Sequence, residues 1–285
     1  MADFPKIDFR AGDVIFHKGD PAESLFMVLS GEVEIFNPED QSRIALLADG
    51  ASFGEQSLLV GGIRGASARA MIATKCAVIN TARLREALQQ EKSLLLPGTE
   101  AILLQLVMFN SLVSQCKAGR QPTYRLSDKV SELAAQNNPV NVEIFLNNGS
   151  NRSKLSTPEL LLLRLISGAQ LASITIGDGQ MATRSGDYPS EGFIVLQGEL
   201  VYTTPEMGLC TLGPGSVVSV AEGVGNVPSR AKAVANGQVL VLRLPIKPLL
   251  VALGNANAGL KGIFRMTMLR ILDLDVFSKP TQRKQ

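Results

Sequence analysis

Short apolar runs divided by glycines dominate the first eighty residues. Val14-Ile15-Phe16, Leu25-Phe26-Met27-Val28-Leu29 and Val33-Glu34-Ile35-Phe36 are separated by Gly12, Gly19 and Gly31, with Gly50 beyond them. Runs this short, with regular turn signals, predict the strands of a barrel or jelly roll over residues 6–82. Gly19-Asp20-Pro21 and Asn37-Pro38-Glu39-Asp40 are turn material. The period changes near residue 83. Residues 82–90 read as a short helix. After Pro97-Gly98 a longer helix is expected, with Thr99 as its N-cap, Glu100 in its first turn and an end near Cys116. Its apolar residues Ile102, Leu103, Leu106, Val107, Phe109 and Val113 cover more of the circumference than one contact needs. One side is expected on the barrel. The other would form a dimer seam or pack on the middle helices. The apolar stretch 101–113 is interrupted by Gln105, Asn110 and Ser111 and reads as too short to cross a bilayer.

Residues 117–155 are polar and mixed, with a helix expected over 126–136 and a loop at 147–151. Ser156-Thr157-Pro158-Glu159 has the hydroxyl, proline and early acid of a helix start. The strand-and-glycine texture then returns over about 174–244, before a last helix at about 260–276 and a basic tail from Lys279.

The second half repeats the first. Gly12, Gly19 and Gly31 recur 167 positions later as Gly179, Gly186 and Gly198. The segment from Phe26 to Val33, FMVLSGEV, recurs as FIVLQGEL from Phe193 to Leu200. A series at constant spacing means two related β barrels, each followed by helices, rather than a solenoid. The expected domains are 1–116, a helical connector 117–170, and 171–285.

Composition narrows the chemistry. Lys+Arg is 28 against Asp+Glu 26, so no broad basic field points to nucleic acid. His17, expected to be an ordinary strand residue, is the only histidine, which excludes a multi-histidine metal centre. Cys76, Cys116 and Cys210 are odd in number and far apart, as free thiols in a reducing compartment would be. The N-terminus lacks a signal-peptide pattern, so a cytoplasmic protein is expected, with no membrane partner.

One segment concentrates the candidate chemistry, from Phe53-Gly54-Glu55-Gln56 through Gly61-Gly62-Ile63-Arg64 to Gly65-Ala66-Ser67. A short helix start offers N–H groups to an anion, and glycines let backbone approach it. Arg64 can grip a phosphate through two parallel hydrogen bonds. Glu55 would repel phosphate but can accept a hydrogen bond from a neighbouring sugar hydroxyl. Phosphate, sugar and one neutralising arginine describe a cyclic nucleotide. Taken singly, Arg64 and Glu55 would read as a surface ion pair.

From Phe9 to about Gln90 the sequence resembles the cyclic nucleotide-binding domain family. The resemblance rests on the glycine series, on the approach from Leu47 to Phe53, and on Phe53-Gly54-Glu55 with Leu58, Arg64 and Ser67 at the family's spacing. It implies a cupin-like jelly-roll barrel, with Glu55 on the ribose 2′-hydroxyl and Arg64 on the cyclic phosphate. Ala66 and Ser67 would add phosphate contacts, Gly54 would lie against the ribose phosphate, and Phe53, Gln56 and Gly65 would complete the ligand-binding set. Gly65 lacks the hydroxyl that accompanies cGMP preference in the family, so cAMP is favoured, with cGMP as the other candidate. Asn110 and Ser111 are the candidates for the base. Ile63 replaces a frequent proline.

The second barrel has lost the pattern. Aligning Gly50 with Gly215 puts Val218-Ser219-Val220 where Phe53-Gly54-Glu55 stand, and Ser229 where Arg64 stands. Counting back from the following strand gives Val227 instead, and a cassette about two residues shorter. Glu222 and Arg230 survive at the wrong spacing and are expected to be solvated. This barrel reads as a packing or protein-contact module, or as a site for a different ligand. The whole reads as a non-enzymatic receptor with no metal or cofactor, acting through helices on a protein effector. The alternatives are a cyclic-nucleotide-responsive transcription regulator and a relative of kinase regulatory subunits. DNA binding is not expected, because Leu160–Ile166 is too apolar to read a groove.

Overall fold

A computed structural model describes residues 4–54, 63–80, 94–168, 171–256 and 258–272. The expected helix over 82–90 lies outside them. The chain divides into two compact units, residues 1–92 with 256–266, and residues 93–255 with 267–285.

Among the described residues the first unit carries eight strands: β1 (Lys6–Phe9), β2 (Val14–Phe16), β3 (Ser24–Ser30), β4 (Val33–Phe36), β5 (Arg43–Leu47), β6 (Ser52–Phe53), β7 (Ser67–Ala70) and β8 (Thr74–Asn80). They form two four-stranded antiparallel sheets, ordered β1-β8-β3-β6 and β2-β7-β4-β5. This is the expected jelly roll. Inward-facing Phe26, Val28, Val33, Leu47, Phe53, Ala68 and Cys76 make its core. His17 follows β2 rather than lying in it, is exposed, and donates its backbone N–H to Asp20.

The second unit holds α1 (Leu95–Lys117), β9 (Thr123–Tyr124), α2 (Asp128–Ala135), α3 (Pro139–Asn147), α4 (Gly149–Arg152), α5 (Thr157–Gly168), β10 (Ser173–Ile176), β11 (Met181–Thr183), β12 (Glu191–Thr204), β13 (Gly208–Leu212), β14 (Val217–Val218), α6 (Val220–Gly225), β15 (Lys232–Pro245) and α7 (Ile246–Asn255). A last helix, α8 (Ala258–Leu272), is divided between the two units. The sheet order is β10-β15-β12-β13-β9, with β11 on β15 and β14 on β12. β12 covers what β3 and β4 do in the first unit, and β15 what β7 and β8 do. Register shifts around Gln197 take the place of the break at Gly31.

The repeated glycines keep the same left-handed backbone region. Gly31 and Gly198 both have left-handed φ, +108° and +83°. A Cβ on Gly31 would meet the Ala73 carbonyl at 2.7 Å, and one on Gly198 would collide with the Gln238 carbonyl. Only glycine meets both demands.

Several sequence expectations change. α1 starts at Leu95, so Thr99 is not its cap. Its hydroxyl donates to the Leu95 carbonyl from within the first turns. α1 has 23 residues, longer than the apolar stretch suggested and long enough by length and composition to cross a membrane, but most of its surface is buried inside the unit. It packs on α5, α6, α7 and β14. The domain limit expected at 116 therefore differs from the compact units, and intrachain packing takes the face that a dimer seam would use. Where a loop was expected at 147–151, Asn148 caps the short helix α4. α5 begins where expected, with Glu159 accepting from the Ser156 N–H and hydroxyl in a capping box. Between α1 and α5, buried Glu100 faces Arg164 Nε at 3.3 Å. Burial outweighs that arginine and pushes the carboxyl up to about 8.

Candidate functional site

Arg64 is placed by main-chain bonds before its side chain acts. Its N–H donates to the Asp20 carbonyl (2.8 Å), and its carbonyl accepts from Gly19 N–H (2.9 Å). Ile63 beside it bridges to Pro21. The β2–β3 turn, made by Gly19-Asp20-Pro21, thus fixes where the arginine leaves the backbone.

The side chain turns inward and the residue is only 6% exposed. Nη2 donates to the Ser24 carbonyl (2.5 Å) and Nη1 to the Gly54 carbonyl (3.3 Å). The guanidinium carbon lies 4.1 Å from the Phe16 ring centroid, within cation–π range. Gly54 has φ +80°, and a Cβ there would collide with Nη1. Glycine is therefore required twice, for the turn and for the approach of the arginine.

The other expected residues fall in several places. Phe53 lies in the core, stacked on Phe26 with centroids 5.2 Å apart, and Phe26 in turn lies 5.7 Å from the arginine. Phe53 is fully buried. Gly65 is exposed and Ala66 half-buried on the way into β7. Ser67 is buried, and its Oγ accepts from Lys18 N–H at 2.9 Å. Glu55 and Gln56 lie outside the described residues. Asn110 and Ser111 are half-buried on α1 in the second unit, where Ser111 Oγ accepts from Gln115 Nε2. The structure thus brings Arg64 against Gly54, next to Phe53 in sequence, and holds Ser67 on Lys18 at the start of β7. Sequence reasoning missed Phe16 and the Ser24 carbonyl. A signal for Phe16 existed: at the offset of 167 its counterpart is Thr183, a ring lost in the half that also lost the arginine.

The second unit shows what the same backbone does without these side chains. Ser229 N–H donates to the Asp187 carbonyl (2.8 Å), and Gly186 N–H to the Ser229 carbonyl (2.7 Å), repeating both Arg64 bonds. Ser229 is therefore the counterpart of Arg64, and Val227 is not. Gly215 N–H donates to the Val195 carbonyl as Gly50 N–H does to Val28. From Gly50 to Arg64 and from Gly215 to Ser229 are both fourteen positions, so the cassette has not shortened. The two missing residues are in the β12–β13 turn, since Val33↔Leu47 corresponds to Leu200↔Leu212.

Ser219 occupies the Gly54 position, also left-handed at φ +69°, and its hydroxyl shares a 2.6 Å hydrogen bond with Thr183. Serine, serine and threonine thus replace arginine, glycine and phenylalanine. Gln105 of α1 closes the segment: its Oε1 accepts from Ala221 N–H (2.8 Å), and its Nε2 donates to Glu222 Oε2 (3.1 Å). Glu222, expected to be solvated, is 9% exposed, and burial pushes its carboxyl up. Arg230 is 63% exposed, as expected, and faces Glu206.

Comparison with known proteins matches residues 6–91 to the model of the cyclic nucleotide-binding domain. A potassium channel protein of Rhodopseudomonas palustris is 36% identical over 84 residues, 29% of this chain and 20% of that protein. The cyclic AMP receptor protein of Thermus thermophilus is 42% identical over 66 residues, 22% of this chain and 31% of that protein. The chain thus spans under a third of the length of these relatives. A solved cyclic nucleotide-binding protein from Geobacter metallireducens is 34% identical, with a TM-score of 0.29, over 31% of this chain and 64% of that one.

Proposed function

We propose that this chain, whose residues 6–91 match the cyclic nucleotide-binding domain, is a non-enzymatic receptor for a cyclic nucleotide, with cAMP favoured over cGMP. The observation that carries the reading is the inward-turned Arg64 guanidinium, held between the Gly54 and Ser24 carbonyls within the matched segment. A planar fork of N–H groups in a largely water-free setting suits the two exocyclic oxygens of a cyclic phosphate. Ser67 and the small residues before it leave room for the phosphate at the start of β7. Glu55 would take the ribose hydroxyl. The cAMP preference rests on Gly65, and the similarity to a cyclic AMP receptor protein supports it.

Binding would act on a protein effector, and the ligand must favour one arrangement of the chain over another for any signal to pass. Calorimetric titration of the nucleotide-free protein with cAMP and with cGMP tests the reading. Binding of cAMP, weaker binding of cGMP and loss of both in Arg64→Ala are expected. No heat with either nucleotide refutes it.

A further inference from the structure

A cavity of about 300 Å³ opens in the second unit beside the degenerate segment 219–231. That is the space of roughly ten water molecules, and it lies at the lower end of small-ligand sites. Met108, Phe109 and Leu112 of α1 line one wall, with Tyr202 of β12 and Met207 opposite. The polar lining carries Glu206 and Glu222, with Arg230, Gln105 and Thr204. Glu222 is turned to Gln105 within the wall. Glu206 stands by the mouth, its side chain 20% exposed, with Oε1 3.4 Å from Arg230. Its other oxygen, Oε2, is buried and finds no hydrogen-bond donor among the described residues. A buried carboxylate oxygen without a donor is costly, and a ligand N–H would relieve it. A phosphate would meet two carboxyls and an arginine already facing Glu206, with Ser229 where the first unit has Arg64.

We propose that this cavity is a second ligand site, for a phosphate-free nitrogen ring compound, uncharged or cationic, that donates an N–H to Glu206. The apolar walls take the ring faces, and Tyr202 and Phe109 offer aromatic contact. The two units would then differ in ligand charge, an anion in the first and a neutral or cationic ring in the second.

The test uses the full chain carrying Arg64→Ala, so that the first unit does not contribute. Adenosine (neutral), tryptamine (cationic) and cAMP (anionic) are titrated by calorimetry, with thermal unfolding followed in parallel. Adenosine or tryptamine is expected to bind, and to bind the Arg64 wild type equally, while cAMP does not. Glu206→Gln keeps the volume and removes the charge, and should weaken binding at least tenfold. Ala231→Phe fills the cavity and should abolish binding, with circular dichroism checking its fold. The proposal is overturned if neither ring compound binds, if cAMP binds as well as they do, or if both variants bind like wild type. It is equally overturned if binding requires removal of residues 273–285, because the chain's own tail would then be the occupant.

Discussion

Replacing Arg64 by alanine should weaken the first unit even when no nucleotide is present. The guanidinium donates to two carbonyls, those of Ser24 and Gly54, and lies over Phe16. Hydrogen bonds from a charged donor contribute about 1.5–3 kcal/mol each, and the ring contact about 1 kcal/mol. Against these stands the charge itself, whose desolvation at 6% exposure costs several kcal/mol and is removed with it. The balance is a loss of roughly 2–4 kcal/mol, which at an ordinary urea slope moves the midpoint down by about 1–2 M. The chain has no tryptophan, so far-UV circular dichroism is the global readout. Amide exchange at Gly19 and Arg64 reports the first unit locally, since both N–H groups lie in the turn that holds the arginine. Arg64→Lys should fall between, because an ammonium keeps the charge but cannot span two carbonyls in a fixed fork. An Arg64→Ala midpoint and exchange pattern equal to wild type would refute this account and leave the arginine a ligand role only.

Further outcomes follow from other contacts. Gly54→Ala puts a methyl on Arg64 Nη1 at a left-handed residue, and calorimetry should show cAMP binding weakened at least tenfold. Glu100 has a folded-state value of about 8 against 4.5, so the folded chain keeps a proton that the unfolded chain has lost between those pH values. Stability should therefore fall as pH rises through this window, by up to about 1.4 kcal/mol per unit and roughly 5 kcal/mol at the limit. Urea titrations of wild type and Glu100→Gln from pH 5 to 9 check this, and the difference between them should change with pH. Ser229→Arg should not give the second unit cAMP binding, because Thr183 stands where Phe16 does and Gln105 already bonds the Ala221 N–H. Calorimetry in the Arg64→Ala background reads that result.

Much of the fold was legible because main-chain demands leave marks in sequence. Gly31 and Gly198 must be glycine for steric reasons, so their spacing betrayed the duplication. The arginine was legible for the same reason, since a turn glycine and a fixed run of residues lead to it. The partnership of α1 was not. A helix apolar around most of its circumference carries no direction in its pattern, so its contacts with α5, α6 and α7 could not be told from a dimer seam. Nor could Glu222 be placed. Its burial depends on Gln105, which is 117 positions away and on another element. The position of the two-residue deletion was ambiguous because a hairpin turn and a ligand loop tolerate length changes alike. The repeated hydrogen bonds of Gly186 and Ser229 resolve it.

The two units separate scaffold from chemistry. The bonds that place Arg64 and Ser229 run between main-chain groups, so they survive any side chain at either position. What differs is a coupled set. With the arginine absent, the glycine it crowds can become Ser219, and the ring beneath it can become Thr183, whose hydroxyl pairs with that serine. The Ala221 N–H in the same segment is taken by Gln105. Ser219 and Thr183 pair with each other, Ser229 pairs with Ala231, and Gln105 takes a main-chain donor, so these buried polar groups are satisfied without a phosphate. Binding specificity in this architecture therefore resides in a few side chains laid on an indifferent frame. The duplication could leave the frame intact in both halves while confining the proposed phosphate-binding set, Gly54, Arg64 and Ser67, to the first.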